Sequence, residues 1–128
     1  MISKITSSSI IGIDAHLIEV EVDIANGLPS FTTVGLPEAA VRESKERVKS
    51  ALQNSGYTFP SNRITVNLAP ASIRKEGTGF DLPIALGILS AGGIIPETVI
   101  GLSIMGELSL DGRVKPVRGT LPMALAAK

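Results

Sequence analysis

The chain has no cysteine and no tryptophan. Without thiols it can form neither disulfides nor thiolate metal sites, a composition that fits a cytoplasmic protein. Its single histidine, His16, has no second ligand at a metal-binding spacing. It reads as a turn or surface residue, and no metal site is expected. The aromatics are limited to Phe31, Tyr57, Phe59 and Phe80, which leaves few platforms for stacking single-stranded bases. An excess of one charge is missing too: 12 basic and 12 acidic side chains sum to zero. That excludes a purely electrostatic nucleic-acid binder, though not a local basic face. No apolar run approaches the roughly 20 residues of a membrane span. The start, Met1 to Thr6, lacks the basic-then-apolar order of a signal peptide. No membrane partner is expected.

The apolar content, 44% of 128 residues, is enough for one domain with a real core. Residues 2–13 alternate loosely. Residues 17–24 alternate almost strictly between apolar and acidic side chains, the mark of a strand with one wet face. Residues 12–16 would turn between these two strands, and Asn26-Gly27-Leu28-Pro29 would turn into a third, Phe31–Val34. Gly35-Leu36-Pro37 opens a helix, with Pro37 in the first turn and Glu38 near the positive end of its dipole. Val41, Ser44, Lys45, Val48, Ala51, Leu52 and Ser55 fall at helical spacing, and Gly56 stops the run. Glu43–Arg47 is an i,i+4 pair in the favoured order, and Arg42–Glu46 is the reverse. Residues 63–68 form a fourth strand and 98–105 a fifth. Residues 106–114 read as a hairpin with Asp111-Gly112 as its turn. A last helix over 119–128 has no stop signal, so the chain reads as a fragment of a longer protein. The class is mixed α/β with hairpins, an α+β-type mixed sheet rather than a doubly wound one.

Between the fourth and fifth strands, the polar segment 70–80 leads into a helix from about Asp81 to Ser90 that is apolar nearly all round. It has the look of a catalytic loop entering a buried helix. Yet Thr78 is the only hydroxyl between Lys75 and Gly87, and no cysteine or histidine lies there. Gly77-Thr78-Gly79-Phe80 also lacks the Lys-Ser/Thr that a Walker A loop places on phosphate and magnesium. Asp81 could act as an acid; the better reading is a cap on the helix, accepting backbone N–H bonds, with Pro83 in the first turn at no cost. The loop itself has no apolar anchor before Phe80, so it should be loosely held.

Several stretches together resemble one family. They are Gly12–Ala15, Val20–Ile24, Gly27–Pro29, Val34–Ser44, Arg63–Ala71, Arg74–Gly77 and Phe80–Leu86. The chain is similar along nearly all its length to the N-terminal domain of the competence protein ComM/YifB family, the magnesium-chelatase-like AAA+ ATPases. Runs this long are far more specific than a short motif. That domain is in turn similar to the proteolytic domain of Lon, in the ribosomal-protein-S5-domain-2-like fold, and Gly106–Val117 resembles Lon's strand–turn–strand. The resemblance implies residues 1–128 as a Lon-like N-terminal domain, with the final strand and the AAA+ module outside the chain. Where Lon places its serine this chain has Gly79 or Phe80, and where Lon places its lysine it has Met123 or a neighbour. A serine–lysine dyad needs a hydroxyl within reach of a lysine of lowered pKa, so the resemblance implies the fold and argues against the protease.

The family is associated with hexameric, ATP-driven DNA branch migration in natural transformation. It implies ATP and magnesium in the AAA+ module and no cofactor in this segment. Two roles stay open. One is a non-catalytic domain for assembly with its own AAA+ module and neighbouring subunits, or for DNA contact. The other is a degenerate peptidase or chelatase accessory domain that binds protein or a small molecule. Arg42, Lys45 and Lys49 lie on one helical stripe, and Arg74 and Lys75 lie beside a glycine pair. These five are the candidates for touching DNA or a neighbouring subunit. Against that, the stripe is balanced by Glu38, Glu43 and Glu46 and reads better as a solvated face, while Arg74 and Lys75 read equally as incidental charge on a mobile loop.

Overall fold

Alternation becomes a sheet. In a computed structural model that describes residues 1–11, 14–96 and 103–115, β1 (Ile2–Ile11), β2 (Asp14–Ala25), β3 (Ser30–Val34) and β4 (Arg63–Ala69) form a mixed four-stranded sheet in the order β1-β2-β4-β3. β1 and β4 are antiparallel to β2, and β3 runs parallel to β4. The register places Ile5 opposite Val20, Val22 opposite Val66, and Phe31 opposite Ile64. Every second side chain therefore meets on one face. Ile18, Val20, Val22, Ile64, Val66 and Leu68 are all buried there. The other face carries Lys4, Glu19, Glu21, Asp23, Thr65 and Asn67, with Lys4–Glu19 at 3.9 Å and Asn67 donating to Glu21 at 2.7 Å. A one-residue slip would exchange the two faces, so burial alone selects the register.

Helices cover the apolar face. α1 (Ala39–Arg42) and α2 (Ser44–Asn54) connect β3 to β4, and α3 (Asp81–Ala91) lies across β1 and β2. α3 is buried at nine of its positions, which explains why its sequence is apolar all round. It sits close to the sheet: a Cβ on Gly87 would stand 2.5 Å from the Val22 side chain, and Ser3 donates to the Gly87 carbonyl at 2.6 Å. β5 (Glu107–Leu108) and β6 (Val114–Lys115) form a separate hairpin. Its connection spans 109–113, longer than the tight two-residue turn expected at Asp111-Gly112, and Asp111 accepts from the Arg113 amide.

The mixed sheet, the first hairpin and the buried helix match the sequence reading. The first helix does not. It is broken at Glu43, and Pro37 lies outside it in a bridge with Lys75. The backbone explains the late start. Gly35 has φ +103 and Leu36 φ +55, and a Cβ on Gly35 would stand 2.3 Å from the Leu68 carbonyl oxygen. The chain thus turns sharply before Pro37, and the Glu38 amide is spent on the Lys75 carbonyl at 2.7 Å. Glu43–Arg47 pairs at 3.5 Å as expected, whereas Arg42 donates to the Pro37 carbonyl at 2.8 Å. Of the expected fifth strand, Ser103 bridges Thr6 in parallel and Ile104 donates to Thr6 at 2.8 Å. Residues 98–102 of that strand, residues 12–13 of the expected turn and the helix over 119–128 with Leu121, Met123 and Leu125 lie outside the described residues, whereas Asp14, Ala15 and His16, expected in the turn, belong to β2 and pair with Ile11, Ile10 and Ser9.

Candidate functional site

The loop 70–80 and the start of α3 form the first place where polar groups converge. Asp81 is fully buried. Its carboxylate accepts from the Ser44 hydroxyl at 2.6 Å, from Arg47 Nε at 2.7 Å and Nη2 at 3.1 Å, and from the Leu108 amide at 3.1 Å. This corrects the helix-cap expectation. Phe80 precedes the first helical residue and no side chain caps the helix, because Asp81 turns inward to bind α2 and the β5 strand. Arg47 also donates to the Ala40 carbonyl at 2.8 Å, and the bonded Asp81 carboxylate holds its guanidinium pKa above the ordinary value. A carboxylate with all these acceptor positions filled is an anchor joining α2, α3 and the β5–β6 hairpin. Ser44 within an apolar stripe was the sequence signal for this anchor. Nothing local pointed to Arg47 as its partner, 34 positions from Asp81.

Lys75 is also fully buried, which corrects its assignment as a surface contact. Its ammonium donates to the Pro70 carbonyl, and its backbone exchanges bonds with the 36–38 segment, Lys75 N to Leu36 O at 2.9 Å. Burial lowers its pKa. The loop is therefore anchored at its middle by the lysine stem packed inside, not left loose until Phe80. Arg74, next in sequence, points outward and binds Glu38 through Nε at 2.6 Å.

The five basic candidates therefore do not form one surface. Arg42 and Arg74 are exposed and tied to the 37–38 segment, Lys75 is inside, and Lys45 and Lys49 line something else. That is a groove of about 430 Å³ between α2 and β3, which sequence reasoning missed. Lys45, Glu46, Lys49 and Gln53 form its helical wall. Pro29, Ser30 and Phe31 lie along the strand, and Phe59 to Asn62 close the end. Phe31 and Phe59 stack with their planes 1° apart and centroids at 6.1 Å, and the Lys49 ammonium stands 5.9 Å above the Phe59 ring. Two phenylalanines each beside a turn proline-containing segment, Pro29 and Pro60, were the available signal. His16 lies half-buried on β2, and among the described residues no three His, Asp or Glu side chains gather to hold a metal. Among the described residues no helix is long and apolar enough to cross a membrane.

The family described as subunit ChlI of Mg-chelatase matches residues 20–128. The chain is 46% identical to the competence protein ComM of Haemophilus influenzae over 95% of its length, covering 24% of that protein. It is 42% identical to YifB of Escherichia coli over 98% of its length, covering 25% of that protein. It is 29% identical to Lon protease 2 of Bacillus subtilis over 88% of its length, covering 23% of that protein. The chain thus spans about a quarter of the length of the curated relatives it matches.

Proposed function

The chain belongs to the family of subunit ChlI of Mg-chelatase, and from that premise we propose that it is the non-catalytic N-terminal domain of a magnesium-chelatase-like AAA+ ATPase that processes DNA. It acts through protein contacts, with its own ATPase module and with neighbouring subunits of a hexamer in the cytoplasm. The Haemophilus influenzae relative is a competence protein, which supports the DNA-processing setting.

The observation that carries the non-catalytic reading is the Asp81 anchor. At the loop–helix junction where a catalytic group would stand, the carboxylate is buried and saturated by Ser44, Arg47 and the Leu108 amide. Lys75, the nearby lysine of lowered pKa, is bonded to a carbonyl rather than to a hydroxyl. A dyad needs the hydroxyl. The residues here do not fit a nucleotide either. The Asp81 and Leu82 amides, donors of the kind a phosphate would need, are taken by the Thr78 and Gly106 carbonyls at 3.3 and 3.0 Å, and a carboxylate occupies the first turn of α3, where a phosphate would need positive potential. ATP and magnesium belong to the module outside this chain.

Protein contact is favoured over DNA contact because the basic residues are dispersed. Lys45 and Lys49 share their wall with Glu46, and Lys75 is inside. The test compares the full protein with one lacking residues 1–128. Loss of ATP-dependent hexamers by sedimentation, with no peptidase or ATPase turnover by the chain alone, is the expected result. Full assembly and DNA strand exchange without the domain, or turnover that tracks with the folded chain, would overturn it.

A further inference from the structure

β3 is an edge strand: among the described residues no strand pairs with its outer side. Its parallel register with β4 fixes which groups face outward. The Ser30 amide donates inward to the Asn62 carbonyl at 3.4 Å, so Ser30, Thr32 and Val34 are spent on β4. Backbone groups alternate sides along a strand, so the N–H and C=O of Phe31 and Thr33 face the open edge. An unpaired edge is a template for another strand. On the helix side of that edge lies the groove with the Phe31–Phe59 pair as its apolar floor. Its wall carries Lys45 and Lys49, and neither makes an ion pair among the described residues.

We infer that the groove between α2 and β3 captures an extended peptide segment whose every second side chain, the set that faces the groove, includes both acidic and apolar groups. The peptide backbone pairs with Phe31 and Thr33. Its apolar side chains rest on the phenylalanine pair, and its carboxylates meet Lys45 and Lys49. Main-chain bonds supply affinity in such strand addition, and the pockets for alternate side chains supply selectivity. Charge complementarity selects an acidic segment over a basic one. A nucleic acid fits less well. The Phe59 ring already has Lys49 over one face and Phe31 stacked beside it, and a sugar–phosphate backbone has no amide N–H to donate to the Phe31 and Thr33 carbonyls of the open edge. This deepens the assembly reading and rests on it for the claim that the partner is a protein. Its test reads capture by the chain itself, so it can fail while the domain-deletion experiment succeeds, and the reverse.

The test uses fluorescence anisotropy of the chain with labelled short probes: a peptide of repeated Glu-Thr-Phe-Thr units, whose Glu and Phe share one face when extended, its Lys-for-Glu counterpart, a version N-methylated at every second residue, and a single-stranded oligothymidylate. The acidic peptide should bind at least about ten-fold more tightly than each of the other three. The double variant K45E/K49E, with unchanged circular dichroism, should reverse the preference between acidic and basic peptides. A second reading does not depend on variants: exchange of the Phe31 and Thr33 amides should slow by about ten-fold or more when the acidic peptide is added, with the Thr32 amide unchanged. Tighter binding of the oligonucleotide, equal binding of the methylated peptide, no protection at Phe31 and Thr33, or protection that instead tracks self-association of the chain would each overturn the proposal.

Discussion

At the start of α3 one carboxylate collects four hydrogen bonds and lies wholly out of water. In the groove between α2 and β3, Lys45 and Lys49 stand exposed and form no ion pair among the described residues. The same helix supplies both regions, Ser44 and Arg47 to the first, Lys45 and Lys49 to the second. The difference separates charge that holds the domain together from charge that is free to meet something else. A buried ion pair is costly to break, since removing one partner strands the other without water. An exposed lysine contributes almost nothing to stability, so it can be kept for binding.

The comparison breaks most visibly at Asp81. Replacing it with alanine strands Arg47, Ser44 and the Leu108 amide together and should cost about 3–5 kcal/mol in chemical denaturation. A loss near 1 kcal/mol would return Asp81 to the role of a helix cap. Lys75 sharpens the contrast from inside, because it is buried and its ammonium donates only to the Pro70 backbone carbonyl among the described residues. Lys75→Met keeps the packed stem and removes the charge, so stability should change by less than about 1.5 kcal/mol. The pH dependence gives the clearer signature. Burial holds the folded pKa below the ordinary 10.5, so between those values the unfolded chain binds the proton that the native state has released. Native stability therefore rises with pH through that window and levels off above 10.5. Melts from neutral to alkaline pH should show that rise in the native chain and lose it in the methionine variant. The smallest effects belong to the groove. Lys45→Ala should leave stability within about 0.5 kcal/mol. Lys49→Ala should cost about 0.5–1 kcal/mol through its contact with the Phe59 ring. A larger loss at either lysine would mean the groove wall is structural after all.

The alternation of residues 17–24 announced β2, and the uniformly apolar run after Asp81 announced a buried α3. Both patterns repeat within a few residues, so they are visible without knowing any partner. The break at Glu43 was hidden, because Ala39 to Asn54 reads as one helical stretch and only the Lys75 backbone, more than 30 positions away, takes the Glu38 amide. The groove was hidden for the same reason. Phe31 and Phe59 are unremarkable in a turn-rich stretch until the parallel pairing of β3 with β4 sets their rings together.

The long motif runs carried the family resemblance, the local helix and strand patterns gave the mixed α/β class, and the period of the apolar pattern set which strand faces are buried. They did so because hydrophobic burial follows local periodicity and makes no reference to a distant residue. Whether a charged side chain is an anchor or a contact was decided only in three dimensions. Asp81, Lys75 and Lys45 look alike as polar residues beside helical or loop segments. Their fates differ because the protein interior forces a charge to find donors or acceptors from other elements, whereas water at the groove leaves its lysines free.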